Sequence, residues 1–310
     1  MLTYNEILAI VYLQLIGIGF IGNCILLFLN TFSFLIIYRR LKNLIIIQLA
    51  FSNAMLLLFR GMPTITRLLR VKCLLDNFGI RIITYMQTIP RGLSLGSTCL
   101  LSAFQAITIS PNNSIWAQLK MKISKFTNPC ILLCWVFNLL LDVVVPIYYT
   151  GSKNSTDIKD GCNTGYRIID MYDQNHMMFA IITCVHDYLF LFLMTCSSAY
   201  MILILDRHKK HVKHIHSNSH SIKISAETRA TQAILFLVGT FILFNVFSPI
   251  LILHMLYFKY TNNWVTHSSN FLSLGYPTVS PFILISIDNK MLKSLLTDRS
   301  KGYIVSHPQK

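Results

Sequence analysis

The chain has 310 residues, of which 54% are apolar and only 13% charged, against about 25% charged in soluble globular domains. Too few charges remain to cover a water-exposed surface of that size, so a lipid solvent is expected. The formal charge of +15 gathers in a few short segments, and that unevenness argues against a nucleic-acid partner.

A helix crosses the hydrocarbon core in about 20 predominantly apolar residues. Seven segments reach that length: 7–37, 43–63, 80–109, 127–149, 176–205, 228–257 and 264–287. The opening MLTYNEILAI has no basic stretch ahead of its apolar run. The first span is therefore expected to stay in the mature protein rather than to be cleaved as a signal peptide. It exceeds the needed length and should tilt or emerge into water. Arg60 lies near the outer end of the second span and is expected to reach the interface. No repeat, low-complexity tract or second domain is visible. Residues 1–310 are expected to form one all-α membrane domain, a seven-transmembrane helix bundle, with 288–310 as a short tail.

The third span carries Thr84, Gln87, Arg91, Ser94, Thr98, Ser102, Gln105 and Thr108, spaced three or four residues apart. At 3.6 residues per turn they fall in an arc of roughly 120°. A lipid-facing helix cannot carry such a stripe cheaply, so this face should point into the bundle and span three should be its central helix. Arg91 lies about 16 Å below the outer end at 1.5 Å per residue. Asp187 of span five sits at similar depth and shares a face with His176 and Thr183. In span four, Cys134, Asn138 and Asp142 share a face. A guanidinium at that depth needs a partner, Asp187 first and Asp142 second. Two readings stay open. The pair fixes helix packing, or Gln87, Arg91, Ser94, Asp142, Thr183 and Asp187 line a small-molecule pocket in the outer half of the bundle.

The loops give the orientation. Segments 38–42, 110–126, 206–229 and 288–310 together hold 17 Lys/Arg and 4 Asp/Glu, whereas the opposite side holds 7 and 6. The positive side belongs in the cytoplasm, which puts the N-terminus outside and the C-terminus inside. The sequon at Asn154 then faces the glycosylating compartment and that at Asn112 does not. Of the eight cysteines none forms a CxxC pair. Cys73 and Cys162 lie in external loops, where an oxidising compartment permits a disulfide between them. DRHKKHVKHIHSNSH, residues 206–220, is histidine-rich. No cysteine or carboxylate cluster accompanies it, so it reads as a solvated cytoplasmic segment touching anionic lipid or a partner, not a metal site. No nucleophile elbow, metal-ligand motif or phosphate-binding loop appears. Neither catalysis nor a cofactor is expected.

GSTCLLSAFQAITISPNNSIWAQLK, starting at Gly96, closely resembles the segment by which vomeronasal type-1 receptors are recognised. RGLSLGSTCLLS before it, HIHS and ETRATQAILFLV around the third inner loop, and SPFILIS in span seven look like the same family. GNCILL in span one resembles rhodopsin-like receptors in general. The resemblance implies a G-protein-coupled chemosensory receptor in the plasma membrane of vomeronasal neurons. It implies detection of small semiochemicals and signalling through a Gi/Go-class heterotrimeric G protein.

The usual acidic-Arg-aromatic triplet at the inner end of span three is replaced here by Phe104-Gln105-Ala106. The span-two aspartate corresponds to Asn53, and span seven has Ser280-Pro281 without the usual tyrosine. The resemblance thus implies that the ionic lock and sodium site of other receptors are absent. The family usually has a cysteine at the outer start of span three, where this chain has Ile80. Against that pattern two alternatives stay open: Cys73, seven residues earlier, takes the place of that cysteine as partner of Cys162, or Cys162 is free.

On this reading Pro111 ends span three at the cytoplasmic surface. Gln105, Pro111, Lys120, Lys122, Lys125, Lys209, Lys210 and Lys213 are candidates to face the G protein. Pro249 in NVFSPILIL is the candidate hinge of span six. Two rivals are a bitter-taste-like receptor, opposed by FQAITISP and HIHS, and a membrane transporter or channel. The transporter reading is opposed by the absence of an internal repeat.

Overall fold

A computed structural model describes residues 3–36, 41–69, 77–111, 114–143, 174–215, 226–247, 250–251, 254 and 263–305. Seven long helices run through them: α1 (Tyr4–Ile36), α2 (Leu41–Leu68), α3 (Asn77–Ile109), α4 (Ser114–Asp142), α5 (Gln174–Ile215), α6 (Ala226–Asn245) and α7 (Asn263–Val305). No strand occurs among the described residues. The start of α1 is set by a local signal. The Thr3 N–H donates to Glu6 Oε2 at 2.7 Å, half of the reciprocal capping pattern in which a Glu three residues on satisfies an orphan donor.

Pro111 follows the end of α3, but five other prolines do not end the helices that hold them. Pro63, Pro90, Pro129, Pro277 and Pro281 all lie inside them. Each removes one N–H from the ladder and leaves the carbonyl four residues earlier without its donor. For Pro281 the remedy is visible: Asn23 Nδ2 of α1 donates to Pro277 O at 2.8 Å and to Gly19 O at 2.8 Å. The Gly-Asn of span one thus repairs a break in α7.

The helices pack in sequence order, α1 on α2, α2 on α3, α3 on α4, α5 on α6 and α6 on α7, and α7 returns to α1. Within this ring α3 touches α2, α4, α5 and α6, the central place expected from its stripe. The bundle is apolar outside and partly polar inside. Phe28, Leu132, Leu140, Val185 and Phe192 are among many exposed apolar side chains, while Ser52, Ser97, Thr98, Ser102, Thr231 and Ser280 are fully buried. Such a surface would aggregate in water and suits lipid.

By length and composition α1, α2, α3 and α5 can each cross a membrane. The two segments of α4, Trp116–Ile123 and Lys125–Asp142, make a fifth span when taken together. The described part of α6 offers a shorter apolar helix, Thr231–Asn245.

Several limits differ from the sequence expectation. Helix α2 continues past residue 63 to Leu68, which places Arg60 two turns inside it. There it is buried, and its Nη2 donates to Asn270 Oδ1 of α7 at 3.4 Å instead of reaching the interface. Helix α5 carries on through the basic segment to Ile215, and α7 runs through most of the expected tail. Cys73, Asn112, Asn154, Cys162 and Pro249 lie outside the described residues.

Candidate functional site

Glycines decide how closely α4 approaches α3. A Cβ on Gly92 would run into the Asn138 side chain, and one on Gly96 into Cys134 Sγ. The small-xxx-small spacing opens a groove in α3 that α4 fills. It brings the Cys134–Asn138–Asp142 face of α4 against the polar stripe. Asn138 satisfies itself by donating to Cys134 O at 2.7 Å. The sequence reading singled out the residues of this face but not the glycines that seat it.

Next to that seam Arg91 Nη1 is ion-paired with Asp187 Oδ2 of α5, the partner expected first. His186 Nδ1 approaches the other carboxylate oxygen, Oδ1, at 3.3 Å. The His186 ring stacks on Phe137 of α4 and tilts against Phe190, with centroids 5.3 and 4.8 Å away. Asp142 is buried close to Arg91, His186 and Asp187. Four ionisable side chains from three helices thus meet at one level. His186 was missed by the sequence reading, which followed the 176–183–187 face, one position away.

The Arg91–Asp187 pair forms part of the wall of a cavity of about 20 Å³. Ser94, Asn245, Ser273 and Tyr276 add polar groups, and Leu56, Leu95, Leu191 and Phe241 make apolar walls. Of the six residues expected to line a small-molecule pocket, Arg91, Ser94 and Asp187 border this small cavity. Gln87, Asp142 and Thr183 stand outside the lining, and the Thr183 hydroxyl is buried with no partner among the described residues.

Below the cavity the hydrogen bonds are neutral. Ser94 donates to Asn53 Oδ1 at 2.7 Å, and Asn53 Nδ2 donates to Ser280 Oγ at 2.9 Å, joining α3, α2 and α7. The Thr98 and Tyr276 hydroxyls share a bond of 2.8 Å. The Tyr276 ring stands edge-on to Phe241 of α6, with centroids 4.5 Å apart. The cavity wall is thus joined to α2, α6 and α7 by direct contacts.

At the far end of α3, Gln105 is buried, with Nε2 donating to Thr231 Oγ1 of α6 at 2.8 Å. Lys120 Nζ donates to Ser110 O at 2.6 Å. Lys122 and Lys125 are exposed, and Lys210 is an exposed partner of Asp206 within α5. Pro111 is exposed just beyond α3. The side chains of Lys209 and Lys213 lie outside the described set.

Comparison with known proteins agrees with this geometry. The profile of the "Vomeronasal organ pheromone receptor family" matches residues 5–297. Human vomeronasal type-1 receptor 3 is 35% identical over 90% of this chain and 90% of its own length. Vomeronasal type-1 receptor 4 of Pongo pygmaeus is 36% identical over 84% and 90%. Olfactory receptor class A-like protein 1 of Danio rerio is 28% identical over 89% and 87%. With matches running nearly end to end on a helical bundle of this kind, the chain belongs to the vomeronasal type-1 family of pheromone receptors.

Proposed function

We propose that this chain crosses the plasma membrane of sensory neurons seven times, with the N-terminus outside. It takes a small semiochemical between α3, α5, α6 and α7, and it activates a Gi/Go-class G protein at the inner face. The Arg91–Asp187 pair carries the reading. A guanidinium inside a helix bundle is costly unless matched, and here the partly buried pair borders a cavity with convergent polar groups. The unequal distribution of Lys and Arg between the two sides supports the orientation.

The cavity holds about one water as it stands, far less than the several hundred Å³ of a typical ligand site. Entry of a semiochemical therefore requires the walls to part. A ligand with greater affinity for the parted packing shifts the bundle toward it, and that difference in affinity is the driving force. Movement of Tyr276 and Phe241 then passes to α6 and the inner ends, where a cleft takes up a G-protein helix in a helix-in-groove contact.

The test is a ligand screen in cells with a Gi/Go-coupled reporter, followed by nucleotide exchange on purified G protein. Arg91→Met at normal surface level should abolish the response to any ligand found. An unaltered response removes the pocket from this place, and ligand-independent solute flux by the wild type removes the receptor reading altogether.

A further inference from the structure

We infer that the buried hydrogen bond between Gln105 of α3 and Thr231 of α6 is a latch that holds the inner end of the bundle closed and sets the ligand-free activity of the receptor. The inference rests on the G-protein-coupled reading above, and it assigns Thr231 a part in it.

The last turns of α3 are tied to three neighbours. Lys120 of α4 donates to the Ser110 carbonyl at 2.6 Å. The Ser110 and Tyr200 hydroxyls are 3.0 Å apart, which joins α3 to α5, and Trp116 of α4 stacks on Tyr200 with centroids 5.4 Å apart. These ties gather α3, α4 and α5 into one unit. Gln105 to Thr231 crosses the remaining seam, between that unit and α6. Both residues are deeply buried, Gln105 4% exposed and Thr231 fully enclosed.

The core side chains packed beside that bond are apolar. Ile234, Leu237 and Val238 of α6 pack in one cluster with Leu101 and Ala106 of α3. In lipid, apolar side chains that part lose contacts but little solvation, because acyl chains replace the partner. An amide and a hydroxyl have no such substitute until water or another protein arrives. The polar bond therefore discriminates the closed packing from the open one more sharply than the apolar contacts beside it. Being neutral, it is weak enough for a ligand to overcome. Interhelical hydrogen bonds in membranes shift such an equilibrium by about threefold, with about twentyfold as an upper value.

Thr231→Val keeps the shape and removes the hydroxyl, whereas Thr231→Ser keeps the hydroxyl. Two readouts are needed on purified receptor without ligand. One is nucleotide exchange on Gi/Go. The other is the distance distribution between spin labels on unnatural residues at the exposed positions Thr108 and Gln232, which involves no G protein. Thr231→Val is expected to raise exchange about threefold and to populate longer distances. Thr231→Ser should match the wild type. Gln105→Met should repeat the valine result, and the double variant should add nothing. Wild-type distances and exchange in both Thr231→Val and Gln105→Met would overturn the latch, as would a raised level in Thr231→Ser. If distances lengthen while no variant drives exchange, the latch stands and the Gi/Go reading fails.

Discussion

Arg91 of α3 and Asp187 of α5 are joined across the bundle, and His186 approaches the same carboxylate through its other oxygen. Removing one member leaves a charge without its counter-ion in a medium that solvates it poorly. Such losses cost about 3–5 kcal/mol, while replacing both members with apolar groups costs far less. Arg91→Met and Asp187→Leu are each expected to lower stability by about that amount, and the double variant by much less than their sum. Thermal melting of the four purified receptors closes the cycle. Strict additivity would mean that the pair contributes nothing as a pair.

The contact of α4 with α3 depends on the missing side chain of Gly92. Overfilling a packed seam typically costs about 1–3 kcal/mol. Gly92→Ala is expected to lose that much, because Asn138 is buried and held by Cys134 O. Adding Asn138→Ala should recover part of it. Melting temperatures decide the matter, and an unchanged melt for Gly92→Ala would show that α4 seats elsewhere.

Lys122 and Lys125 are exposed in the N-terminal part of α4, whereas Lys120 is engaged with the Ser110 carbonyl. Exposed charges contribute about 1 kcal/mol or less each. Reversing both to glutamate is expected to lower G-protein activation several-fold with ligand occupancy unaltered. Parallel ligand-binding and nucleotide-exchange curves separate the two effects. Full activation by the double variant would exclude these lysines from the coupling face.

Topology has its own measurement. Asn154 lies in a sequon on the side expected outside, and Asn112 in one on the side expected inside. Endoglycosidase treatment should shift the wild type and Asn112→Gln on a gel but not Asn154→Gln. Sugar on Asn112 would invert the orientation.

Much of the site was legible because charge and depth are one-dimensional properties. Arg91 and Asp187 could be matched by counting residues from the helix ends, and the centrality of α3 followed from an unbroken polar arc. What remained hidden depends on pairing between helices. Thr231 stands among Thr228, Arg229 and Gln232 at the polar start of α6, where a threonine often bonds its own backbone, so nothing local pointed to Gln105. The spacing of Gly92 and Gly96 was visible, but the helix that fills the groove was not. Arg60 was misplaced because the span was ended at Pro63. The helix accepts that proline and runs to Leu68, so the guanidinium sits too deep to reach water.

Asn53, Ser94 and Ser280 meet in the middle of the bundle through amide and hydroxyl groups only. An alkali cation finds no fixed negative partner in that knot, and a proton finds no carboxylate to neutralise. Any response of the bundle to salt would then arise one level away, at the Asp142 and Asp187 carboxylates, while the knot keeps the same amide and hydroxyl partners in dilute and concentrated media.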